Sequence, residues 1–300
     1  MGWRAVFIGN PSRLRIDSER LIIEQEEEVT FPLEDLCALV LESPAVILSS
    51  ALLARLAAHD ILLLICDEKH LPCAVMLPSA GHSRLPKMQR MQLSLGLPFR
   101  KRCWQAIVRQ KIANQAECLR LLERPGADLL LSMLPAVASG DSGNVESRAA
   151  RHYFPAVFGD GFTRGDDEHL INAALNYGYA IMRGVVARAF AAHGLILSQG
   201  IHHHSELNPF NLADDFLEPL RPAVDLFVET MMPGEENFDR YHRMALAALL
   251  GCDMLIDEKR QPILRAVEGM ASSFVRAGEQ NDYRCLHLPV LLPIQPHRYE

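Results

Sequence analysis

Aromatic residues make up only 7% of this 300-residue chain, and no two of its seven cysteines (Cys37, Cys66, Cys73, Cys103, Cys118, Cys252, Cys285) stand in a CxxC spacing. An odd number of scattered cysteines excludes a disulfide scaffold and a zinc ribbon, and implies a reduced, cytoplasmic protein. Long apolar runs are missing too. A representative one, Ser43 to Ala54, is closed by Glu42 and Arg55 after 12 residues, too few to cross a bilayer, so no membrane partner is expected. The start, Met1-Gly2-Trp3-Arg4, lacks the basic-then-apolar layout of a signal peptide. Neither GxxxxGK[ST] nor HExxH occurs, and Gly159, Gly161 and Gly165 lack the spacing of a dinucleotide loop. What is present, 49% hydrophobic and 22% charged residues, is a globular composition with length for about two domains.

Acidic residues are absent from one long window. The chain carries a net charge of −7, yet Arg84 to Lys111 holds eight basic residues and no carboxylate: Arg84, Lys87, Arg90, Arg100, Lys101, Arg102, Arg109 and Lys111. The other 22 basic residues face 37 acidic ones, a balance of −15. Phosphate affinity follows local field and counterion release rather than whole-chain charge, so this segregation suits a polyanion such as double-stranded DNA. A solvated helix face is the alternative. If the window is only that, the positive field belongs elsewhere, on Arg148, Arg151 and Arg183.

The patterning predicts an α+β protein, a small N-terminal β-sheet domain followed by a larger all-α domain. Short β-branched and apolar runs, Trp3–Ile8, Arg20–Glu24, Leu36–Leu41, Ile61–Cys66 and Cys73–Leu77, read as strands, with an acidic turn after Glu24 and one helix over Ala51–His59. From Pro78 to Pro98 the pattern dissolves into Ser, Gly, Pro and basic residues. The expected organisation is therefore a β domain over 1–78, a linker over 79–97 and a helical catalytic domain over 98–300. Helical spacing predicts helices over Phe99–Leu122, Ala127–Ala138, about Asp166–His193, Pro222–Met232, Asn237–Met254 and Pro262–Arg276. Asp166 or Asp167 is the expected cap of the longest, and Gly194 its stop.

Three groups of residues could carry chemistry. His202-His203-His204 lie on a loop before Asn211–Pro222, where Asp215 and Glu218 stand three apart at a helix start. Imidazole and carboxylate from such a unit can converge on a divalent cation, whereas buried structural or wet loop histidines are the plainer alternative. Glu146 shares a helical face with Ala149, Ala150 and Tyr153, which is costly for a carboxylate unless it is paired or metal-bound. A first-turn acid complementing the helix dipole is the alternative there. Asn172, Asn176, Tyr179 and Arg183 form a polar stripe along the longest helix, either a solvated face or a wall of a site or DNA groove.

Glu146-x-x-x-Ala150-Arg151, then Leu170–Tyr179, then Gly200-Ile201-His202-His203 with Asn211–Pro222 occur in register over nearly the whole chain. In this order they resemble the CRISPR-associated adaptation endonuclease, the integrase that inserts new spacers, in its type II-like variety. The resemblance implies Mg2+ or Mn2+ held by Glu146, His203 and Glu218, with Asp215, Asn176 and Arg151 in support. His203 is implied over His202 and His204 because it precedes Glu218 by 15 residues. The position after Glu146, often Gly in that family, is Ser147 here. The implied partners are prespacer and repeat DNA, a second copy in a homodimer, and a small second CRISPR-associated adaptation protein. The implied reaction is attack of a 3′-OH on a phosphodiester, where the ion neutralises charge on the phosphate. A repair nuclease on branched DNA and a non-catalytic DNA-binding scaffold are the rival functions.

Overall fold

The computed structural model describes the chain apart from Met1, Trp3 and residues 78–82, 167–168, 233–236 and 299–300. The apolar runs become strands because alternate side chains find two different cores. β1 (Arg4–Ile8), β5 (Leu36–Leu41) and β7 (Leu62–Cys66) pair in parallel, and β8 (Pro72–Val75) adds antiparallel at the edge. Along β5 every residue is buried. Leu39 and Leu41 pack into the N-terminal core, whereas Ala38 and Val40 face the helices. β7 divides the same way, Leu63 to one side and Leu62 and Leu64 to the other. Burial on both faces is what a continuous apolar strand requires.

The second N-terminal sheet contains strands the patterning missed. Its order is β4 (Glu28–Pro32), β3 (Arg20–Glu24), β2 (Ser12–Asp17) and β6 (Val46–Leu48), with β6 parallel to β2 and the rest antiparallel. β2 and β3 are joined through Ser18 and Glu19, both at positive φ, a turn without the Asn-Gly signal that marks such hairpins. α1 (Ser50–Ala58) is capped by the Ser49 side chain and buries Leu52 and Leu56. Of the expected first strand, Trp3 lies outside the described residues.

The segment expected as linker contains α2 (Leu85–Leu93), and α3 (Leu97–Leu121) starts inside it. The polar composition concealed α2 because its anchor is itself polar. Buried Gln92 donates to the carbonyls of Ile196 and Gln199 and accepts from the Ile196 amide. Residues 78–82 of that segment lie outside the described residues.

Beyond α3 follow α4 (Ala127–Met133), α5 (Val145–Phe158), α6 (Leu170–Ala192), α7 (Asn211–Leu217), α8 (Arg221–Met231), α9 (Arg240–Ala248) and α10 (Ile263–Gln280). N-terminal sheets followed by a mostly helical region is the architecture the sequence predicts. The helical region is not purely α, however. β9 (Cys252–Ile256), β10 (Lys259–Pro262) and β11 (Val290–Pro296) form an antiparallel sheet, so the helix expected to reach Met254 ends at Ala248. His169 caps α6 rather than Asp166, and Asp167 lies outside the described residues. Among the described residues no helix is long and apolar enough to cross a membrane.

Candidate active site

α3 is the platform of the site. Its Trp104 and Lys111 are seven residues apart, two helical turns, and therefore share a face. Over Trp104 lies the histidine loop. The His202 ring stacks flat on the indole at 4.0 Å, and His203 meets it edge-on at 5.7 Å. Over Lys111 lie two acids. Its Nζ is 2.5 Å from Glu146 Oε1 and 2.5 Å from Glu218 Oε2. Glu146 and Glu218, 72 residues apart in sequence, thus meet at one ammonium group.

Each acid is held by its own scaffold. Glu146 stands in the first turn of α5, where the Asp141 carboxylate accepts from the amides of Val145 (2.9 Å) and Glu146 (3.0 Å). Glu218 opens a single 3-10 turn between α7 and α8. Asn114 of α3 donates to the Pro219 carbonyl at 2.7 Å and the Pro289 carbonyl at 3.0 Å, and accepts from the Leu291 amide at 3.0 Å. Glu218 Oε1 accepts from Arg221 Nε at 2.8 Å. Glu218 Oε2, although beside Lys111, is buried with no well-aligned hydrogen bond.

Burial alone would push the Glu218 carboxyl up, but Lys111 and Arg221 outweigh it and hold it down at about 2. Burial likewise disfavours the Lys111 ammonium, and the charges of Glu218 and Glu146 reverse that, raising it above the ordinary lysine value. Arg221 in turn lies over the Tyr179 ring, 4.4 Å from its centroid. Tyr179 and Tyr153 both donate to the fully buried carboxylate of Asp225.

Asp215 organises the histidine loop. It is fully buried, and its oxygens accept from the amides of Ile201 (2.6 Å), His202 (3.1 Å) and His203 (3.0 Å). Asp215 Oδ1 also meets His203 Nδ1 at 2.7 Å. Gly200 makes this possible, because a Cβ there would lie 2.3 Å from the His203 carbonyl and 2.7 Å from Asp215 Oδ2. A carboxylate at Nδ1 favours the proton on that nitrogen and so sets the ring's tautomer. Burial pushes the His202 imidazole, laid on Trp104, below the ordinary histidine value. His203 is shifted the opposite way, chiefly by its Asp215 hydrogen bond, with the charge of Glu218 contributing.

Two carboxylates and an oriented imidazole suit a hard or borderline divalent cation. Among the described residues, however, no three His, Cys, Asp or Glu side chains are grouped closely enough to hold one. The gap between the acids is filled by Lys111. Lys111, expected on the basic surface, is here buried and paired with both acids. Lys87 is paired as well, 2.5 Å from Glu279.

Of the remaining basic residues in the acid-free window, Arg84, Arg90, Lys101, Arg102 and Arg109 are exposed. Arg100 is half-buried, and it lines a groove of about 840 Å³ with Leu97, Gly200, His203, His204 and Asn208. Arg151 is exposed on α5. Asn176 accepts from Arg164 (2.7 Å), and Asn172 from the same guanidinium (2.6 Å). Arg164 also lies 5.2 Å from the Tyr179 centroid. Of the polar stripe, Tyr179 thus meets Arg221 and Arg164, whereas Arg183 lies over the Phe210 ring, 5.4 Å from its centroid. Lys111, Arg221, Asn114, Asp141, Trp104 and Arg164 were not singled out for these parts in the sequence. The only signal for any of them was the mismatch of polar residues on otherwise apolar helical faces.

Two carboxylates meeting one ammonium, one of them also held by a guanidinium, beside an imidazole oriented by a third carboxylate are groups that phosphodiester chemistry can use. The fold and site together define a nucleic-acid-processing endonuclease. A family model described as CRISPR associated protein Cas1 matches residues 6–250. The chain is 39% identical, over the full length of both, to the CRISPR-associated endonuclease Cas1 of Neisseria meningitidis serogroup C (strain 8013). Among solved structures, a casposase bound to integration product superposes with a TM-score of 0.74 at 17% identity, covering 93% of each chain. A Cas1 protein from Thermotoga maritima gives 0.70 at 14% identity, covering 92% of this chain and 97% of the other. The chain belongs to the Cas1 family of CRISPR-associated endonucleases. Its activity is accordingly that of a CRISPR-associated endonuclease.

Proposed function

We propose that this chain joins DNA 3′ ends to a CRISPR array at the site between α3, α5 and the histidine loop, with Glu146, His203 and Glu218 as ligands of Mg2+ or Mn2+. The observation that carries the reading is the meeting of Glu146 and Glu218 at one cation, on the same face of α3 as an imidazole already oriented by Asp215. Attack of a 3′-hydroxyl on a phosphodiester exchanges one P–O bond for another and releases a new 3′-hydroxyl. The metal supplies neutralisation of the phosphate and a more acidic attacking hydroxyl. Arg221 keeps Glu218 ionised, Asp215 keeps His203 in one tautomer, and Asp141 fixes the start of α5.

The exposed part of the acid-free window, with Arg100, Lys101 and Arg102 at its centre, holds the phosphates of prespacer and repeat DNA, and Arg151 and Asn176 support the site. The chain acts as a homodimer together with a small second CRISPR-associated adaptation protein in the cytoplasm. Support for the second protein comes from a solved Cas6-RT-Cas1–Cas2 complex, a chain of which superposes with a TM-score of 0.70 at 18% identity over 94% of this chain and 36% of that one.

The test is joining of a 3′-OH duplex to supercoiled DNA with Mn2+, with Mg2+ and with EDTA. Glu146→Ala is expected to abolish joining while DNA binding persists. Joining by Glu146→Ala, or joining in EDTA, overturns the metal assignment. Hydrolysis without joining favours a repair nuclease instead.

A further inference from the structure

Lys111 is a buried ammonium held between the two acids of the site. Its ammonium lies 2.5 Å from one oxygen of each acid, so those oxygens are no more than about 5 Å apart, and burial of Lys111 and Glu218 leaves little water between them. Two carboxylates so placed repel unless a cation lies between them. Ca2+ and Mg2+ take carboxylate oxygens at roughly 2.0–2.6 Å, the same separation that Lys111 Nζ adopts. The space between these two oxygens therefore admits one cation at a time.

We propose that Lys111 is a resident counter-ion which a divalent metal must displace, and that this competition sets the metal affinity of the site. The inference rests on the metal reading given above. Three observations support exchange rather than a permanent structural pair. Glu218 Oε2 is buried without a well-aligned hydrogen bond, so Lys111 satisfies its charge but not its lone pairs. Arg221 holds the other oxygen at 2.8 Å, so Glu218 keeps its position when the ammonium leaves. Lysine is an unbranched, flexible cation with no planar fork to match a carboxylate, so it can swing aside while α3 stays fixed. Moved off the acids, a buried ammonium needs another anion, and the anion brought to this site is a DNA phosphate. Lys111 thereby couples the two occupants. Metal moves the ammonium onto the phosphate, and phosphate makes room for the metal.

The test is Mn2+ binding to the full-length chain, followed by electron paramagnetic resonance, with and without a non-joinable duplex lacking the 3′-hydroxyl. Lys111→Met is expected to bind Mn2+ roughly tenfold tighter or more without DNA, because a buried competing ion pair is gone. DNA is expected to tighten Mn2+ binding several-fold in the wild type and not in this variant. Equal or weaker Mn2+ binding by Lys111→Met overturns the proposal. Lys111→Arg provides the second measurement if Lys111→Met does not fold. Its fork grips the carboxylates, so Mn2+ affinity is expected to fall, and an unchanged or higher affinity overturns the proposal equally. Glu146→Gln separates the two readings. If the wild type binds Mn2+ and Glu146→Gln binds it just as well, the metal assignment itself fails.

Discussion

Asn114 donates to the Pro219 carbonyl at 2.7 Å, and this bond ties the middle of α3 to the turn that presents Glu218. The same amide reaches the carbonyl of Pro289 and accepts from the Leu291 amide, so three stretches distant in sequence meet at one buried side chain. Lys111 is one turn earlier on the same helix. The distance from ammonium to carboxylate is therefore set by a backbone carbonyl that carries no chemistry itself.

Asn114→Ala leaves two carbonyls and an amide without partners in a dry environment. A buried polar group left unpaired costs about 1–3 kcal/mol, so the variant is expected to lose roughly 3 kcal/mol of stability or more. Chemical denaturation measures it. Asn114→Asp is expected to be no better, because a carboxylate cannot donate to the Pro219 and Pro289 carbonyls. Stability within about 0.5 kcal/mol of wild type for Asn114→Ala would show that water replaces these bonds.

Asp215→Asn keeps the size of the side chain but places an amide group where His203 Nδ1 and three backbone amides need an acceptor. Loss of such an orienting carboxylate typically costs about 10–100-fold in metal affinity or activity. Joining is expected to fall in that range, while DNA affinity stays near wild type. Unimpaired joining would remove His203 from the ligand set, since its tautomer would then not matter.

Replacing Arg100, Lys101 and Arg102 by Ala addresses the DNA surface. Each phosphate neutralised adds roughly 0.9 to the slope of log affinity against log salt, so the triple variant is expected to flatten the slope by about 2 to 3. The weakening is expected for every sequence alike, because backbone contacts do not read bases. Salt titrations giving coincident lines for wild type and variant would place the field elsewhere, on Arg148, Arg151 and Arg183.

Asp225 predicts a pH dependence of folding. Burial raises its carboxyl to about 6 against an ordinary 3.8, opposed by hydrogen bonds from Tyr179 and Tyr153 and by the charges of Arg221 and Lys111. Between those values the folded chain binds a proton that the unfolded chain has released. This contribution to stability is complete below about pH 4 and is lost as pH rises through 6. Two units correspond to about 3 kcal/mol. Asp225→Asn is expected to flatten the denaturation free energy across that window, and an identical slope in wild type and variant would contradict it.

The sequence by itself determined the parts governed by local rules. Leu36–Leu41 had to be a strand buried on both faces, because every residue is apolar and the run is too short for a helix. Trp104, Ile107, Val108 and Ile112 had to lie on one side of a helix, because only a 3.6-residue period brings them together. Glu146 was legible as a misplaced charge for the same reason, beside Ala149 and Tyr153. Only the tertiary structure decided who faces whom. Lys111 belonged by sequence to a basic surface, yet α3 is rotated so that this one cation points inward, where Glu146 and Glu218 require it. His203 differs from His202 only in that Asp215 reaches its Nδ1 while Trp104 covers its neighbour. α2 escaped notice because its anchor is Gln92, polar in composition but satisfied by backbone that arrives about a hundred residues later. Periodicity reports which face of an element is buried. It carries no information on the partner, because that partner is fixed by packing between distant segments and by the need of each buried polar group for a complement.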